Sequence, residues 1–579
     1  MPRKLFLGII FLISSIFPLS SCTHGDVRED GGEQQGTVSL TFKLVVQESP
    51  HPSWTGQDKV RIMQIAKGKV LQFSDCFIMP GEDGSSAMAS ASFEEMEGDS
   101  FTYTAVFPAS LFSGTDELSL PPSQIIDVSG DFTSTCDILA GRSDEFNNIL
   151  MKRIGSILNL TVKDIPKNRS YKSMQIDFPS AAFGSISIDP LTGLLNDLSK
   201  AQTSSLLLDI PNFTSTGNDS FKCRYLHTWS GDKEVKVLIN TETGYYLGKG
   251  TLKGGNLTVS AEEAFKNPVT SFSWPDPTIW YDDSAKCFFS IATSVRDIKK
   301  SIDGINWVST GISPLTVASK AQALSLGKHM WAPDVAKIGD ALIMYLTSIN
   351  TGTDSRIAAY GYNPSIGQFE YLKVVTDGNN TGIADTIDAE VVIDPDTGKT
   401  WLFFGSIGKM HRVELTKDGI SVAPGAKYVH VAGITSAENP ARDKVFEGAY
   451  LYHRDGYWYL FASGGRYADY SYKIVVGRSA SLEGAFLTKD GKAMTRGEGT
   501  VILSSDKGDE MFGPGHNGEI FTDDTGQDYM YFHCHDSSLP PNSNRYMFLQ
   551  RIFWDSEGWP YFEEPKPLRY DRKPLFNNK

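Results

Sequence analysis

The 579-residue sequence has little cysteine, and the cysteines it has are scattered. There are six, at positions 22, 76, 136, 223, 287 and 534, and no two of them form a Cys-x-x-Cys pair. A small domain held together by disulfides would need a denser set. We therefore expect the folded parts to be stabilised by hydrophobic cores, and a chain of this length can build several.

Positive charge is also scarce. The chain has 54 Lys and Arg residues against 69 Asp and Glu residues, which gives a formal net charge of −15 at pH 7. A nucleic-acid-binding protein needs a basic surface that faces the phosphates. We therefore expect no nucleic-acid partner, whereas a neutral ligand is compatible with this acidic composition.

A long apolar run stands at the N-terminus, from Leu5 to Phe17, after two basic residues. It is too short to span a membrane comfortably, and residues 1–22 are predicted to be a signal peptide. The sequence Leu-Ser-Ser-Cys at 19–22 resembles the lipobox of bacterial lipoproteins, which implies that Cys22 becomes the lipidated first residue. The alternative is ordinary secretory cleavage near a cysteine.

Residues 23–36 are acidic and glycine-rich, without apolar periodicity, and are predicted to be a flexible linker. Acidic residues this close to the lipidated cysteine are similar to the surface-export signal of Bacteroides-type lipoproteins. The expected location is therefore the bacterial outer membrane, at the cell surface, with the lipid anchor as the chain's sole contact with the membrane.

Residues 37–265 show strand-like alternation and little helical periodicity. Val38, Leu40 and Phe42 alternate with polar residues, and similar patterns recur up to Ile239. One-sided strands with short turns predict one or two antiparallel β-sandwich modules, over 37–150 and 151–265. The pattern resembles the fimbrillin-like modules of Bacteroides surface proteins, which implies a spacer; glycan binding is the alternative.

Residues 266–579 contain five copies of one hairpin unit. Each copy has a small or polar start, an apolar strand, a turn and an aromatic strand; in the fourth, Asp455-Gly456 lies between strands over 449–453 and 457–462. The first positions of the copies are Asp276, Ala332, Asp388, Glu447 and Asn517. Five copies at spacings of 56, 56, 59 and 70 residues predict a five-bladed β-propeller, so the whole chain is predicted to be all-β.

The repeat also predicts a site. Equivalent positions of the innermost strands lie at one height around a propeller axis, so Asp276, Asp388 and Glu447 should converge on one central pit. Three other acids of the repeat, Asp334, Glu390 and Glu519, are interpreted as cap or turn residues.

The propeller region resembles glycoside hydrolase family 43, and within it the endo-α-1,5-L-arabinanases. The motifs that carry the resemblance are Asp276-Pro277, Trp331-Ala332-Pro333-Asp334, Ile387-Asp388, Gly405-Ser406, Glu447-Gly448-Ala449, the stretch from Tyr472 to Ser479, and Gly513 to Asn517. Two departures from the family pattern, Pro275 and Ala389, leave the substrate less certain than the activity class.

The resemblance implies an inverting mechanism with three carboxylates. Such enzymes need one carboxylate that deprotonates a water and one protonated carboxyl that donates to the leaving oxygen, about 6.5–9.5 Å apart. By motif match Asp276 is the base and Glu447 is the acid. Asp388 matches the third carboxylate, which orients the acid and keeps its pKa high.

Further residues are predicted to bind substrate or metal. In similar arabinanases the residue that matches His516 helps to hold a metal, usually calcium, mostly through waters; alternatively this histidine only orders the site. Trp274 and Trp331, beside the pit positions, are predicted to contact sugar rings. Arg478 is predicted to reach sugar hydroxyls, with a salt bridge inside the blade as the alternative.

The sequence therefore predicts a surface-tethered inverting glycoside hydrolase that cleaves internal α-1,5 linkages of arabinan. One alternative is the same chemistry with exo action or on another substrate, as in arabinofuranosidases, xylosidases and galactosidases. The other is a non-catalytic glycan-binding surface lipoprotein.

Overall fold

The computed structural model describes residues 23–26, 36–47, 54–82, 84–96, 100–132, 138–143, 148–181, 183–197, 201–225, 231–539, 541 and 543–576. The chain divides into two compact units between Glu262 and Glu263, close to the predicted start of the propeller. The predicted signal peptide, with Cys22, and residues 27–35 of the predicted linker lie outside the described residues. Among the described residues, no helix is long and apolar enough to cross a membrane.

Where the structure describes it, the first unit is built of strands and one short 3-10 helix, Ala109–Leu111. The strands are β1 (Thr23–Asp26), β2 (Thr37–Val46), β3 (Lys59–Ala66), β4 (Lys69–Pro80), β5 (Ser86–Glu94), β6 (Thr102–Phe107), β7 (Phe112–Ser113), β8 (Glu117–Leu120), β9 (Ser123–Ile125), β10 (Leu139–Ser143), β11 (Asn148–Arg153), β12 (Ser156–Lys163), β13 (Tyr171–Asp177), β14 (Phe183–Asp189), β15 (Leu194–Asp197), β16 (Ala201–Thr203), β17 (Ser205–Asp209), β18 (Asn218–Tyr225), β19 (Lys233–Thr241), β20 (Tyr245–Leu252) and β21 (Asn256–Lys266).

The first sheet of this unit closes on itself. Its order is β4-β3-β6-β10-β11-β2-β5, and β5 pairs again with β4. The first four residues of the predicted flexible linker, Thr23–Asp26, form a strand instead. This strand, β1, pairs with β4, with Thr23 opposite Asp75. Alternate residues of β2 and β5 are buried, among them Phe42 and Ala89, so one face of the sheet covers a core.

The rest of the unit contains two more sheets. The larger has the order β18-β12-β21-β20-β19-β13-β17-β9, and the smaller has the order β15-β14-β8-β7, with β16 paired to β14. Buried residues of both, such as Leu160 and Ile186, belong to one hydrophobic cluster. The division near residue 150 stays a prediction; β8 and β9, which precede it, pair with β14 and β17, which follow it.

The second unit contains five antiparallel sheets, or blades, in chain order. Their strands are β22 (Thr278–Asp282), β23 (Cys287–Ile291), β24 (Lys299–Ser301) and β25 (Val308–Ser309) in blade one; β26 (His329–Ile338), β27 (Ala341–Thr351), β28 (Asp354–Asn363) and β29 (Gln368–Asp377) in blade two; β30 (Glu390–Ile393), β31 (Thr400–Phe404), β32 (Met410–Leu415) and β33 (Val429–Ala432) in blade three; β34 (Phe446–Arg454), β35 (Tyr457–Gly464), β36 (Lys473–Ser479) and β37 (Thr500–Leu503) in blade four; and β38 (Met511–Gly515), β39 (Ile520–Thr522), β40 (Asp528–Asp536), β41 (Tyr546–Trp554) and β42 (Pro560–Tyr561) in blade five.

Few other elements occur in the described part of this unit. Helix α1 (Val317–Leu326) lies between blades one and two, α2 (Gly378–Thr381) follows β29, and a 3-10 helix covers Met494–Arg496. Strand β43 (Tyr570–Arg572) follows the last blade. The hairpin predicted in the fourth copy is β34 and β35, and its turn residues Asp455 and Gly456 both have positive φ, as a tight hairpin turn requires.

The blades close into a ring. Five hydrophobic clusters each join neighbouring blades, and one of them joins blade five to blade one through Tyr531 and Phe288. A matching circle of hydrogen bonds runs around the innermost strands, in which a side chain of each blade accepts the backbone N–H of the next. These bonds run from Val335 to Thr278 (3.1 Å), Val391 to Asp334 (2.9 Å), Leu451 to Glu390 (3.1 Å), Ile520 to Tyr450 (2.9 Å) and Ile279 to Glu519 (2.6 Å).

This circle confirms the five-bladed propeller that the repeat predicts. It also gives Asp334, Glu390 and Glu519 their role, since each carboxyl caps the first strand of the following blade. The residue at the corresponding place in blade four is Tyr450, one position later in its copy, where the β34–β35 register shifts between Glu447 and Tyr450.

Candidate active site

The structure brings the three predicted carboxylates together. Asp276, Asp388 and Glu447 line one cavity of about 420 Å³ at the openings of blades one, three and four. The cavity is also lined by Thr293, Trp331, Ile387, Ser406, Ile407, Arg442, Gly465, Arg466, Tyr467, Ala468, His516 and Arg545. We call this cavity the pit.

The backbone around the pit is strained at several points. Asp276, Asp388 and His516 have φ values of 53°, 55° and 41°, in the left-handed region that non-glycine residues rarely adopt. Their backbone N–H groups are held by His533 Nδ1 (3.1 Å), Thr347 Oγ1 (3.2 Å) and Ser463 Oγ (2.6 Å), respectively. Such conformations persist when the surroundings fix them, and they concentrate at functional sites.

Asp276 is buried but held as an anion. Its Oδ1 lies 2.7 Å from Arg545 Nη1, 3.1 Å from His533 Nδ1 and 3.4 Å from His516 Nδ1. Its Oδ2 accepts a hydrogen bond from Thr293 Oγ1 at 2.6 Å. Burial by itself raises the pKa of Asp276, but Arg545 and the two histidines outweigh burial and hold it well below its usual range.

Glu447 is positioned by two hydroxyl groups. Ser406 Oγ donates to Oε2 and Tyr472 OH donates to Oε1, both at 2.7 Å. Neighbouring Asp388 accepts the Gly448 N–H, and its pKa is raised well above its usual range, first by burial and then by the charges of Glu447 and Asp276. Burial and the two neighbouring carboxylates therefore favour the protonated form of Asp388.

Asp276 and Glu447 are linked by buried rings. The Tyr472 ring, whose hydroxyl supports Glu447, stacks on the imidazole of His533, with centroids 5.7 Å apart and planes 7° apart. His533 is fully buried, and burial together with the nearby charge of Arg545 lowers its pKa to about 3. The ring is therefore neutral near pH 7, where its Nδ1 accepts the Asp276 N–H.

Comparison with known proteins identifies the family. The sequence model of glycosyl hydrolases family 43 matches residues 265–560, slightly more than half of the chain. The chain belongs to glycosyl hydrolases family 43. As a family 43 member it is a glycoside hydrolase, which confirms the predicted family and activity class.

Relatives of this family 43 enzyme carry both endo and exo names. This chain is 26% identical over 308 residues to the extracellular exo-α-(1→5)-L-arabinofuranosidase ArbA of Cellvibrio japonicus. The alignment covers 50% of this chain and 86% of that protein. It is 31% identical over 243 residues to the probable arabinan endo-1,5-α-L-arabinosidase A of Aspergillus flavus, covering 40% and 72%. The solved structure of Cellvibrio cellulosa α-L-arabinanase complexed with arabinohexaose aligns over 51% of this chain and 96% of that one, with 24% identity and a TM-score of 0.43.

The structure separates the predicted substrate contacts of this family 43 enzyme. Trp331 lines the pit and is 37% exposed. The predicted sugar contact of Trp274 is corrected by the structure. This side chain is buried in the core between blades one and five, and its indole N–H donates to Ser290 Oγ at 2.8 Å. The predicted sugar contact of Arg478 is corrected as well. Its guanidinium lies over Trp559 and donates to the Glu557 carbonyl, away from the pit.

Sequence reasoning missed several residues of the pit. Arg545 lies in no motif and is 269 positions from its partner Asp276. Arg442 and Tyr467 come from loops that carry no periodicity. Ser406 and Tyr472 stand inside quoted motifs, but nothing in the sequence indicated that both bind Glu447.

A metal at His516 depends on few protein atoms. No group of three or more His, Cys, Asp or Glu residues is arranged to hold a metal ion in the described part of the chain. His516 lines the pit, and the Oδ1 of the adjacent Asn517 is buried without a hydrogen-bond partner among the described residues. This set fits a cation that keeps most of its own water, as a hard cation does.

Proposed function

We propose that this family 43 enzyme is an inverting endo-α-1,5-L-arabinanase. The observation that carries the proposal is the pit, in which an ionised Asp276 and a hydroxyl-supported Glu447 come from different blades of one propeller. The arabinan-degrading names of its relatives support arabinan as the substrate.

Asp276 is the proposed general base. A base must be deprotonated before the reaction begins, and the charge of Arg545 keeps Asp276 so. Asp276 would take the proton of a water that attacks the anomeric carbon. The water must fit between base and sugar, which is the geometry of an inverting enzyme.

Glu447 is the proposed general acid, with Asp388 as its partner. Two carboxyls that interact in one buried cavity do not both ionise readily, and burial and the charge of Glu447 raise the pKa of Asp388, so we propose that the pair shares one proton. In the proposed acid step this proton passes through Glu447 to the leaving oxygen. Ser406 and Tyr472 fix the direction of the Glu447 carboxyl.

The test is product analysis of the mature chain on linear and branched arabinan, beside Glu447→Gln. Oligosaccharides of several lengths that disappear in the variant support endo action and the acid role. Single arabinose units alone would establish exo action. Products from a xylan or galactan panel but not from arabinan would keep the chemistry and replace the substrate. Proton NMR of the first product distinguishes inversion from retention.

The predicted calcium is proposed to bind at His516, with water completing its coordination and Asn517 Oδ1 as a second protein donor. When bound, it would supply positive charge that favours the ionised form of Asp276. We expect metal analysis to find calcium in the parent and not in His516→Ala, and a chelator to lower the melting temperature of the parent alone.

The enzyme is further proposed to be a surface lipoprotein of the outer membrane, held by Cys22, with the fimbrillin-like first unit as a spacer. The lipobox-like sequence before Cys22 supports this. Labelling with a fatty-acid analogue should be lost in Cys22→Ser, and protease added to intact cells should remove the parent. A protein released into the medium without lipid would refute the anchor.

A further inference from the structure

Arg442 lines the pit and has no hydrogen-bond or ion-pair partner in the part of the chain that the structure describes. Its guanidinium forms no hydrogen bond or ion pair within the described residues, and its Nε is buried without an acceptor. Arg545 differs, because its charge is matched by Asp276 at 2.7 Å. A buried donor without an acceptor is uncommon in folded proteins, since it loses water and gains nothing in return.

The loop around Arg442 holds this residue rigidly. Its φ is 66°, and its backbone N–H donates to both the carbonyl and Oδ1 of Asn439, at 3.0 and 2.9 Å. The Arg442 carbonyl accepts the Val445 N–H at 3.1 Å, and Lys444 is paired with Glu498 at 2.7 Å. These bonds fix the backbone from which the Arg442 side chain enters the pit, so a ligand there does not have to order the loop.

Arg442 lies on the acid's side of the pit. It precedes Glu447 by five residues, in the segment that leads into blade four. Its charge also acts on Asp385, whose pKa is raised by burial and by Glu447 and lowered by Arg442, so these three groups share one neighbourhood. In the proposed mechanism this side receives the leaving-group sugar.

We propose that Arg442 binds the sugar on the leaving-group side of the cleaved bond, and donates hydrogen bonds to its hydroxyl oxygens. The inference rests on the proposed role of Glu447. The ligand is a neutral sugar, because Asp385 and Glu447 beside Arg442 disfavour a uronic acid. The arginine thereby gains the acceptors that the protein does not give it.

Two variants and one control test the inference. Arg442→Met keeps the apolar stem and removes every donor, whereas Arg442→Lys keeps the charge without the planar fork. Arg496→Met, at an exposed arginine of the same blade outside the pit, is the matched control. Each protein is assayed on an α-1,5-arabino-oligosaccharide and on an aryl arabino-oligosaccharide whose leaving group is not a sugar.

We expect Arg442→Met to lose about 10- to 100-fold in kcat/KM on the oligosaccharide, the range of a hydrogen bond to a charged donor, and to change less than about threefold on the aryl substrate. Arg442→Lys should recover part of the loss. A chromatographic retardation assay on immobilised oligosaccharide, in the Glu447→Gln background, should show weaker binding when Arg442→Met is added.

Equal losses on both substrates would refute the inference, because they would give Arg442 a role in folding or in the chemical step. Unchanged kinetics on both would refute it as well, and so would a gain of affinity for galacturonate-containing glycans over neutral ones. If the parent does not cleave arabinan, the proposed substrate is wrong. The loss of kcat/KM in Arg442→Met is then compared between an oligosaccharide and an aryl glycoside of the neutral glycan that the parent does cleave, and this comparison decides the inference.

Discussion

Glu519 offers a sharp test of how the propeller is closed. Its Oε2 accepts the Ile279 N–H at 2.6 Å and its Oε1 accepts the Thr278 hydroxyl at 3.0 Å, so this carboxyl joins the last blade to the first. Burial, and then the charge of Asp334, raises its pKa to about 8. The perturbation is Glu519→Gln, which keeps the size and the accepting oxygen and removes the titration.

The magnitude follows from proton linkage. The folded pKa is above the unfolded value of 4.5, so the native state holds one more proton than the unfolded state between these values. The stability from this group is therefore complete below pH 4.5 and is lost as the pH rises toward 8. The loss is about 1.4 kcal/mol for each pH unit, or roughly 4 kcal/mol between pH 5 and pH 8.

The assay is urea unfolding of parent and variant at pH 5, 6, 7 and 8. Tryptophan fluorescence suits it, because eight of the ten tryptophans lie in residues 263–579. The two proteins should be similar at pH 5, and the variant should become progressively more stable than the parent as the pH rises. Glu557→Gln, at a side chain that is 67% exposed in the same blade, should show no such trend.

A constant difference between Glu519→Gln and the parent over this pH range would refute the reasoning. It would mean that Glu519 is already ionised in the native state, as a carboxylate bonded only to donors can be. A variant that is less stable at every pH by the same amount would show that the carboxyl acts through its hydrogen-bond geometry alone.

Three further predictions concern the pit. Arg545→Met should shift the acid limb of the kcat/KM profile upward by about one pH unit or more, because Asp276 then loses the charge that holds its pKa low, and Arg545→Lys should shift it less; an unmoved limb would exclude Asp276 as the group that sets it. Tyr472→Phe should lower kcat about tenfold with little change in KM, since the hydroxyl that directs Glu447 is lost, and single-turnover rates would check this. Trp331→Ala should raise KM about threefold to tenfold at unchanged kcat, as measured on arabino-oligosaccharides, if the exposed indole stacks on a sugar ring; an unchanged KM would contradict that contact.

The electrostatics of the pit divide its carboxylates into two kinds. Asp276 is paired directly with Arg545, which holds its pKa low, whereas burial and the charges of Glu447 and Asp276 raise the pKa of Asp388 despite the Gly448 N–H and the Arg545 charge. The pKa values of Asp334 and Glu519, two of the acids that close the ring, are also raised by burial, to about 7 and about 8. Of these buried acids, therefore, Asp276 is set apart by a guanidinium.

Much of the fold was predictable because its unit is local. The hairpin of β34 and β35 is encoded by alternating apolar residues and an Asp455-Gly456 turn, and the same code occurs five times. Repetition at near-constant spacing implies equivalent positions around one axis. The convergence of Asp276, Asp388 and Glu447 followed from that geometry, before any distance was known.

The errors arose where adjacency in sequence was taken for adjacency in space. Trp274 is two residues from Asp276, but its indole turns into the core between blades, because a large apolar surface is more stable there than in the pit. Arg478 stands in a family motif, yet its guanidinium stacks on Trp559, which directly precedes β42 of blade five. Only Trp331 among these three lines the pit.

By itself the sequence determined the all-β class, the five blades, and the three carboxylates that meet in the pit, because hairpin patterning and repeat spacing are properties of neighbouring residues. Tertiary structure alone decided what surrounds each carboxylate. Arg545 reaches Asp276 across 269 positions, Tyr472 reaches Glu447 from the residue before β36, and burial raises the pKa of Asp388. A pKa depends on the charges and the solvent within a few ångströms, and only the closed ring of blades brings those groups together.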